Sequence, residues 1–365
     1  MILTSENLVY YLLERGLVTR ESIVNGGIEI SEIPRRNRNF RASQRGGQGY
    51  FLKQIREWNP ESIRTLQTEA ECYKLAAQDA SFAGIADVVP RFYAYDQRRS
   101  VLITELLEGA ETIAEHHFKN DAFPIEVGEQ LGRAFGSYHR DAAGNPPKNL
   151  DGVFLRRSPW ALSIHDMPSH AAPNLSGGIH QMIGMVRQFP QFGAALEKLR
   201  SGWRSEALTH GDIKWDNCVL CPGSNGRLRL MIVDWELADW GDSCWDVAGI
   251  MNAYLSFWVQ SLPGDSMADP AAMVARARFP VERMQPAIQS FWRTYAIARG
   301  ISGHPARDLL RRIVQYTGAR IIQTAFEMLQ ASPMANSGTV LLLQLSMNVM
   351  ENPDEATREL LGIEP

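Results

Sequence analysis

The stretch His210-Gly211-Asp212-Ile213-Lys214-Trp215-Asp216-Asn217, followed after an apolar hairpin by Asp234-Trp235-Glu236, decides how this chain is read. It supplies an aspartate (Asp212), an amide five residues on (Asn217) and a second aspartate (Asp234), 22 positions after the first. Asp234 closes the apolar run Leu230-Met231-Ile232-Val233, which reads as a buried strand, so its carboxylate emerges at a strand end. Phosphoryl transfer to a hydroxyl needs that inventory. One carboxylate orients the acceptor hydroxyl and takes its proton, while an amide oxygen and a second carboxylate hold magnesium on the nucleotide phosphates.

His-Gly-Asp with Asn five residues on, then Asp-Trp-Glu, resembles the aminoglycoside phosphotransferase family, a branch of the protein-kinase-like fold. Gly241-Asp242-Ser243-Cys244-Trp245-Asp246 extends the likeness and implies that Asp246 anchors the loop around Asp212. The resemblance implies an α+β, protein-kinase-like two-lobe fold, with a small antiparallel-sheet N-lobe and a mostly helical C-lobe. It implies ATP and Mg2+ as cofactors. Asp212 becomes the catalytic carboxylate, and Asn217 and Asp234 the magnesium ligands, with Glu236 ranked behind them. Lys214 stands where serine/threonine protein kinases carry a lysine that stabilises the transferring phosphate. His210 is read as a buried, hydrogen-bonded part of the loop.

The region upstream fits this frame. Residues 3–25 read as one or two short helices. Residues 28–33, 40–43 and 50–55 read as three antiparallel strands, 60–77 as a helix, 88–96 as a fourth strand and 100–107 as a fifth. The domain boundary is expected there, with 1–107 as N-terminal helices and nucleotide-binding N-lobe, and 108–365 as the helical C-lobe carrying the catalytic loop, metal site and acceptor site. Helices are expected over 125–141, 283–300, 306–330 and 338–350, with loose inserts at 156–178 and 261–270. Lys53 ends an apolar strand, and a buried ammonium needs a partner. Glu69, sixteen residues on, is the favoured one, and Glu71 the rival. The backbone groups of Glu105 and Leu107 are expected at the adenine ring. The phosphate-covering turn, Arg35 to Asn39, has no glycine, so arginines such as Arg38 are expected to do what bare amides do elsewhere.

Composition bounds the rest. The 365 residues are 45% hydrophobic and 21% charged, with net charge −4. That balance argues against a nucleic-acid binder. No apolar run is long enough to span a bilayer, and no signal-peptide pattern opens the chain, so a cytoplasmic protein is expected. Cys218 and Cys221 form a C-x-x-C, but no second pair or nearby histidine pair accompanies it, so zinc and redox roles are set aside. The acceptor is read as a small metabolite or a Ser/Thr of a peptide. Seven arginines and one acid lie between Arg283 and Arg320, which disfavours a polycationic aminoglycoside. The peptide reading envisages a partner lyase that eliminates the phosphate, and Trp160, Trp203, Trp240 and Trp258 as groove residues. The alternative of another class is a nucleotide-binding scaffold without turnover.

Overall fold

A computed structural model describes residues 1–364 except 35, 145–146, 148–149, 151, 168–174, 224–225 and 264–269. Arg35 of the expected arginine turn therefore lies outside the described residues, as do parts of both expected inserts. The chain divides into two compact units. One comprises Met1–Ile113, Lys148–Phe154 and Asp216–Ala238, the other Ala114–Pro147, Leu155–Trp215 and Asp239–Pro365. Residues 216–238, assigned to the helical part by the expected boundary after 107, thus cluster with the sheet.

The first unit opens with helices α1 (Leu8–Glu14) and α2 (Arg20–Val24), then strands β1 (Ile28–Pro34), β2 (Arg38–Gln44) and β3 (Tyr50–Gln54). Helix α3 (Pro60–Gln78) follows, then β4 (Phe92–Asp96) and β5 (Val101–Glu105). The sheet is antiparallel, in the order β1-β2-β3-β5-β4. Its core is sealed by the N-terminal helices: Leu3, Leu8, Tyr11 and Leu12 bury fully against Phe40, Leu52, Val101 and Ile103. Residues 88–90, read as part of a strand, lie outside it, and the Val88 carbonyl instead accepts from the Ile232 amide at 2.6 Å. Helix α3 starts cleanly because Asn59 caps the Ser62 amide at 2.8 Å and Pro60 occupies the first turn, where its missing N–H is no loss. A second sheet joins Glu111–Thr112, Cys218–Pro222 and Leu228–Ile232, with Cys218 opposite Ile232. Cys218 and Cys221 are free and buried on one of these strands. Three residues apart on a strand, they point to opposite faces.

The second unit is mostly helical. Ile125–Asp141 packs along Val281–Arg299. Gly128, Gly132 and Gly136 recur every four residues on the contact face, and a Cβ built on Gly132 would lie 2.4 Å from the Phe291 carbonyl oxygen. The two backbones approach too closely for any side chain there. Ser243–Gln260 packs on the short strand Ala207–Thr209, which pairs with Asp239–Gly241, and Gly303–Met328 packs on Ser243–Gln260. Among the described residues, no helix is long and apolar enough to cross a membrane.

Candidate active site

The boundary between the units falls inside the motif, between Trp215 and Asp216. Each half is described by itself.

In the first unit Lys53 is buried on β3, opposite Asn39 on one side and Leu102 on the other. Its Nζ lies 2.7 Å from Glu69 Oε2, 2.5 Å from Asp234 Oδ1 and 3.7 Å from Glu236 Oε2. The expected partner is therefore in contact, while Glu71 pairs with Lys74 at 2.6 Å. Glu69 and Glu71 sit on different sides of α3 because two helical residues span 200°. Burial alone would lower the Lys53 pKa, but the three carboxylates outweigh it and raise it. Burial pushes Glu69 up to about 7; Asp234 and Glu236 add to this, and Lys53 opposes it. Three acids share one ammonium.

Asp234 adopts φ 69° and ψ 53°, the left-handed region that aspartate tolerates better than most residues. That bend turns its side chain out of the strand at Ile232, and the side chain is 41% exposed. The next residue, Trp235, is fully buried and donates from its ring nitrogen to the Ile232 carbonyl at 3.1 Å, pinning the turn. Asn217, nearly buried, accepts from the Val233 amide at 2.9 Å through its backbone carbonyl, which places it beside Asp234. The oxygens of Glu69, Asp234 and Glu236 lie within 4.8 Å of one another. An oxygen-only donor set of carboxylates is what a hard divalent cation prefers.

Two expectations for the nucleotide side need correction in detail. Arg38 opens β2, paired with Pro34 and Gln54, and its guanidinium lies 4.0 Å from Glu32. Arg36 is the turn arginine that reaches the carboxylate cluster, at 3.4 Å from Glu236. The reason is register: β2 begins two residues earlier than the sequence reading placed it, which draws Arg38 into the sheet. At the end of β5 the Glu105 amide donates to the Arg91 carbonyl at 2.8 Å, and the Glu105 carboxylate accepts from the Arg91 amide at 3.1 Å. That amide is thus engaged within the sheet. The Leu107 carbonyl accepts from Ala110 at 3.4 Å.

In the second unit Asp246 organises the loop. It sits in the first turn of Ser243–Gln260, which Asp242 caps through the Cys244 amide at 3.1 Å. Its carboxylate accepts from the His210 amide at 2.7 Å, the Gly211 amide at 3.0 Å and the Tyr138 hydroxyl at 2.5 Å, with His139 Nε2 at 3.5 Å. Burial pushes the Asp246 pKa up, but the bonds from His139 and Tyr138 and the nearby His210 ring more than offset this, so it lies below the usual range. Gly211 takes φ 82°, which lets two successive amides face one carboxylate. His210 is fully buried, and its Nδ1 accepts from the Asp212 amide at 3.3 Å. Lys214 Nζ lies 2.9 Å from Asp212 Oδ2.

Three further residues come from Gly303–Met328, a helix the sequence reading treated only as amphipathic. Arg320 is buried and donates to the carbonyls of Gly211 at 3.3 Å and of Ile213, the residues flanking Asp212. Gln323 Nε2 donates to Asp212 Oδ1 at 3.2 Å, and Glu327 lies 3.5 Å from Lys214. Their spacing on one helical face was visible, but nothing local says which loop a face will meet.

The arginine count also reads differently in three dimensions. Arg312 pairs with the fully buried Asp242, Arg320 holds the Asp212 loop, and Arg299 packs 3.9 Å from Glu206. These three are interior braces and leave the basic surface smaller than the sequence implied. Of the four tryptophans, Trp240 and Trp258 are buried and Trp203 packs on Trp245 and Tyr316. Only Trp160 is largely exposed, against Phe326 at 4.6 Å.

A model of the phosphotransferase enzyme family matches residues 29–284. The chain belongs to that family. Solved structures similar to this phosphotransferase include a choline kinase from Cryptosporidium parvum Iowa II, with 12% identity, TM-score 0.56, and coverage of 98% of this chain and 99% of that one. A choline/ethanolamine kinase family protein from Mesorhizobium loti has 17% identity, TM-score 0.50 and 89% coverage of both chains. The GDP and kanamycin complex of APH(2")-IIia has 12% identity, TM-score 0.50, and coverage of 94% and 98%. At these identities the likeness is one of fold: the kinase-like, two-lobed α+β architecture expected from the motifs. No curated protein matches by sequence.

Proposed function

We propose that this phosphotransferase moves the γ-phosphoryl group of ATP, with Mg2+, to the hydroxyl of a small molecule. The observation that carries the reading is the buried ammonium of Lys53, held by Glu69 at 2.7 Å and Asp234 at 2.5 Å. Three acids around one buried ammonium leave a surplus of negative charge, which a divalent cation carrying a polyphosphate tail would balance.

In this reading Lys53 grips the nucleotide phosphates and Glu69 fixes its direction. Asn217 and Asp234 hold magnesium, which when bound neutralises charge on the phosphate oxygens. Arg36 is better placed than Arg38 to cover the phosphates, because it is tied to Glu236 beside Lys53. The Glu105 carbonyl and the Leu107 amide are assigned to the adenine edge. Asp212 orients the acceptor hydroxyl and takes its proton as the bond to phosphorus forms. Lys214 supplies positive charge to the transferring group. The transition state is loose, so positioning matters more than base strength. We place the activity in the cytoplasm, where ATP is made and four free thiols stay reduced. The proposed division of labour, with the nucleotide on the sheet lobe and the acceptor on the helical lobe, keeps residues 1–107 and most of 108–365 in the roles expected from sequence.

The test is an acceptor screen with labelled ATP and magnesium across amino alcohols, sugars, aminoglycosides and Ser/Thr-bearing peptides. A labelled small-molecule product supports the reading. Labelled peptide alone would move the acceptor class, and nucleotide binding without turnover on any acceptor would favour the scaffold.

A further inference from the structure

Arg320, Gln323 and Glu327 stand at i, i+3 and i+7, one face of the helix Gly303–Met328. With Asp212 and Lys214 they close a circuit. Lys214 Nζ lies 2.9 Å from Asp212 Oδ2 and 3.5 Å from Glu327 Oε2. Gln323 Nε2 donates to Glu327 Oε1 at 2.9 Å and to Asp212 Oδ1 at 3.2 Å. Gln323 Oε1 accepts from Arg320 Nη1 at 2.9 Å.

The orientation of the Gln323 amide is forced. A guanidinium only donates, so Arg320 must face the amide oxygen, and the NH2 end must face the two carboxylates. Arg320 cannot easily yield. It is buried, bonded to the carbonyls on either side of Asp212, and lies over the Trp245 ring at 5.0 Å.

We propose that Glu327 and Gln323 are positioning residues for phosphoryl transfer, Glu327 by dividing Lys214 between two carboxylates and Gln323 by fixing the rotation of Asp212. The proposal rests on the reading of Asp212 and Lys214 given above. With Glu327 absent, Lys214 keeps Asp212 as its ion-pair partner among the described residues, and its 2.9 Å hold on Asp212 Oδ2, the oxygen that should receive the hydroxyl proton, is no longer shared with a second carboxylate. With Glu327 present, two cations and two anions balance, and Lys214 is held between the base and the helix. Burial pulls the Lys214 pKa down, but Asp212 and Glu327 raise it overall, so the amine stays charged. Arg320, on the same helical face as Glu327, opposes this rise.

Two acceptor-independent readouts test this. The first is acetylation of Lys214 by acetic anhydride at pH 8, quantified by peptide mass spectrometry with Lys198 as internal reference. The second is slow ADP release from ATP and magnesium with water as acceptor. In Glu327→Gln, Lys214 should label at least about threefold faster, because each pKa unit lost frees roughly tenfold more amine. ADP release should fall roughly tenfold with KM for ATP within about twofold. Gln323→Leu should show the same split between kcat and KM with Lys214 labelling unchanged. Melting temperatures near wild type establish folding. A wild-type Lys214 labelling ratio in Glu327→Gln, or full ADP release in both variants, overturns the proposal. Asp212→Asn separates the two readings. If it abolishes ADP release while Glu327→Gln and Gln323→Leu do not lower it, only the positioning role falls; if it also leaves release intact, the reading of Asp212 falls.

Discussion

Replacing Asp246 with asparagine should be the most damaging isosteric change in the second unit. The side chain is fully buried and receives the His210 and Gly211 amides on separate oxygens, at 2.7 and 3.0 Å. Asparagine keeps one acceptor oxygen and turns an NH2 toward the other amide. A hydrogen bond to a charged acceptor contributes about 1.5–3 kcal/mol, and a stranded buried N–H costs about 1–3 kcal/mol. The sum is roughly 3–5 kcal/mol. At about 2–4 °C per kcal/mol for a unit of this size, the melting temperature should fall by on the order of 10 °C. Calorimetry and urea titration measure this directly. Asp354→Asn is the control: Asp354 pairs with Arg311 at 3.0 Å, but both side chains are more than half exposed, so the loss should stay within about 1 kcal/mol. If Asp246→Asn costs no more than that control, Asp246 does not hold the loop and the electrostatic argument for it is wrong.

Three further outcomes follow from the same geometry. Lys53→Met should abolish nucleotide binding in a fluorescence titration and destabilise the first unit by leaving Glu69 without its ammonium. Without Lys53 the Glu69 pKa rises further above its wild-type value of about 7, so the variant takes up the proton first and the stability gap to wild type should narrow as pH falls toward about 7. His117 and His139 are buried among aromatic rings, and burial lowers both to about 4. Their folded values lie below the ordinary 6.5, so their contribution is whole above that pH and is lost as pH falls toward 4, by up to about 3 kcal/mol each. The urea midpoint against pH should show this limb, and His117→Phe should flatten part of it. Gly132→Ala forces a Cβ to within 2.4 Å of a backbone oxygen, so the helix pair must separate. A loss of about 1–3 kcal/mol by thermal melt is expected, and an unchanged melt would refute the close approach.

Much of this was legible in the chain because the informative residues act locally. Lys53 at the end of an apolar strand demanded a buried acid, and helical spacing chose Glu69 over Glu71. Asp234 at a strand end was likewise readable from flanking residues, whereas Asp246 as an anchor came only from the resemblance of residues 241–246 to a family segment. What stayed hidden depends on contacts between distant segments. Arg320, Gln323 and Glu327 sit more than a hundred positions from Asp212, and helical periodicity gives a face without its partner. The same ignorance made the arginine count misleading, since Arg299 and Arg312 brace the interior as Arg320 does. The turn was shortened for a smaller reason: β2 begins two residues earlier than expected, which puts Arg38 in the sheet and leaves Arg36 beside Glu236.

The most direct test is single-turnover transfer from γ-labelled ATP in wild type and Asp212→Asn, with nucleotide affinity measured on the same preparations. The account predicts that affinity stays within about threefold while the transfer rate drops by roughly a thousandfold or more. A variant that binds ATP normally and still transfers phosphate at the wild-type rate would contradict it.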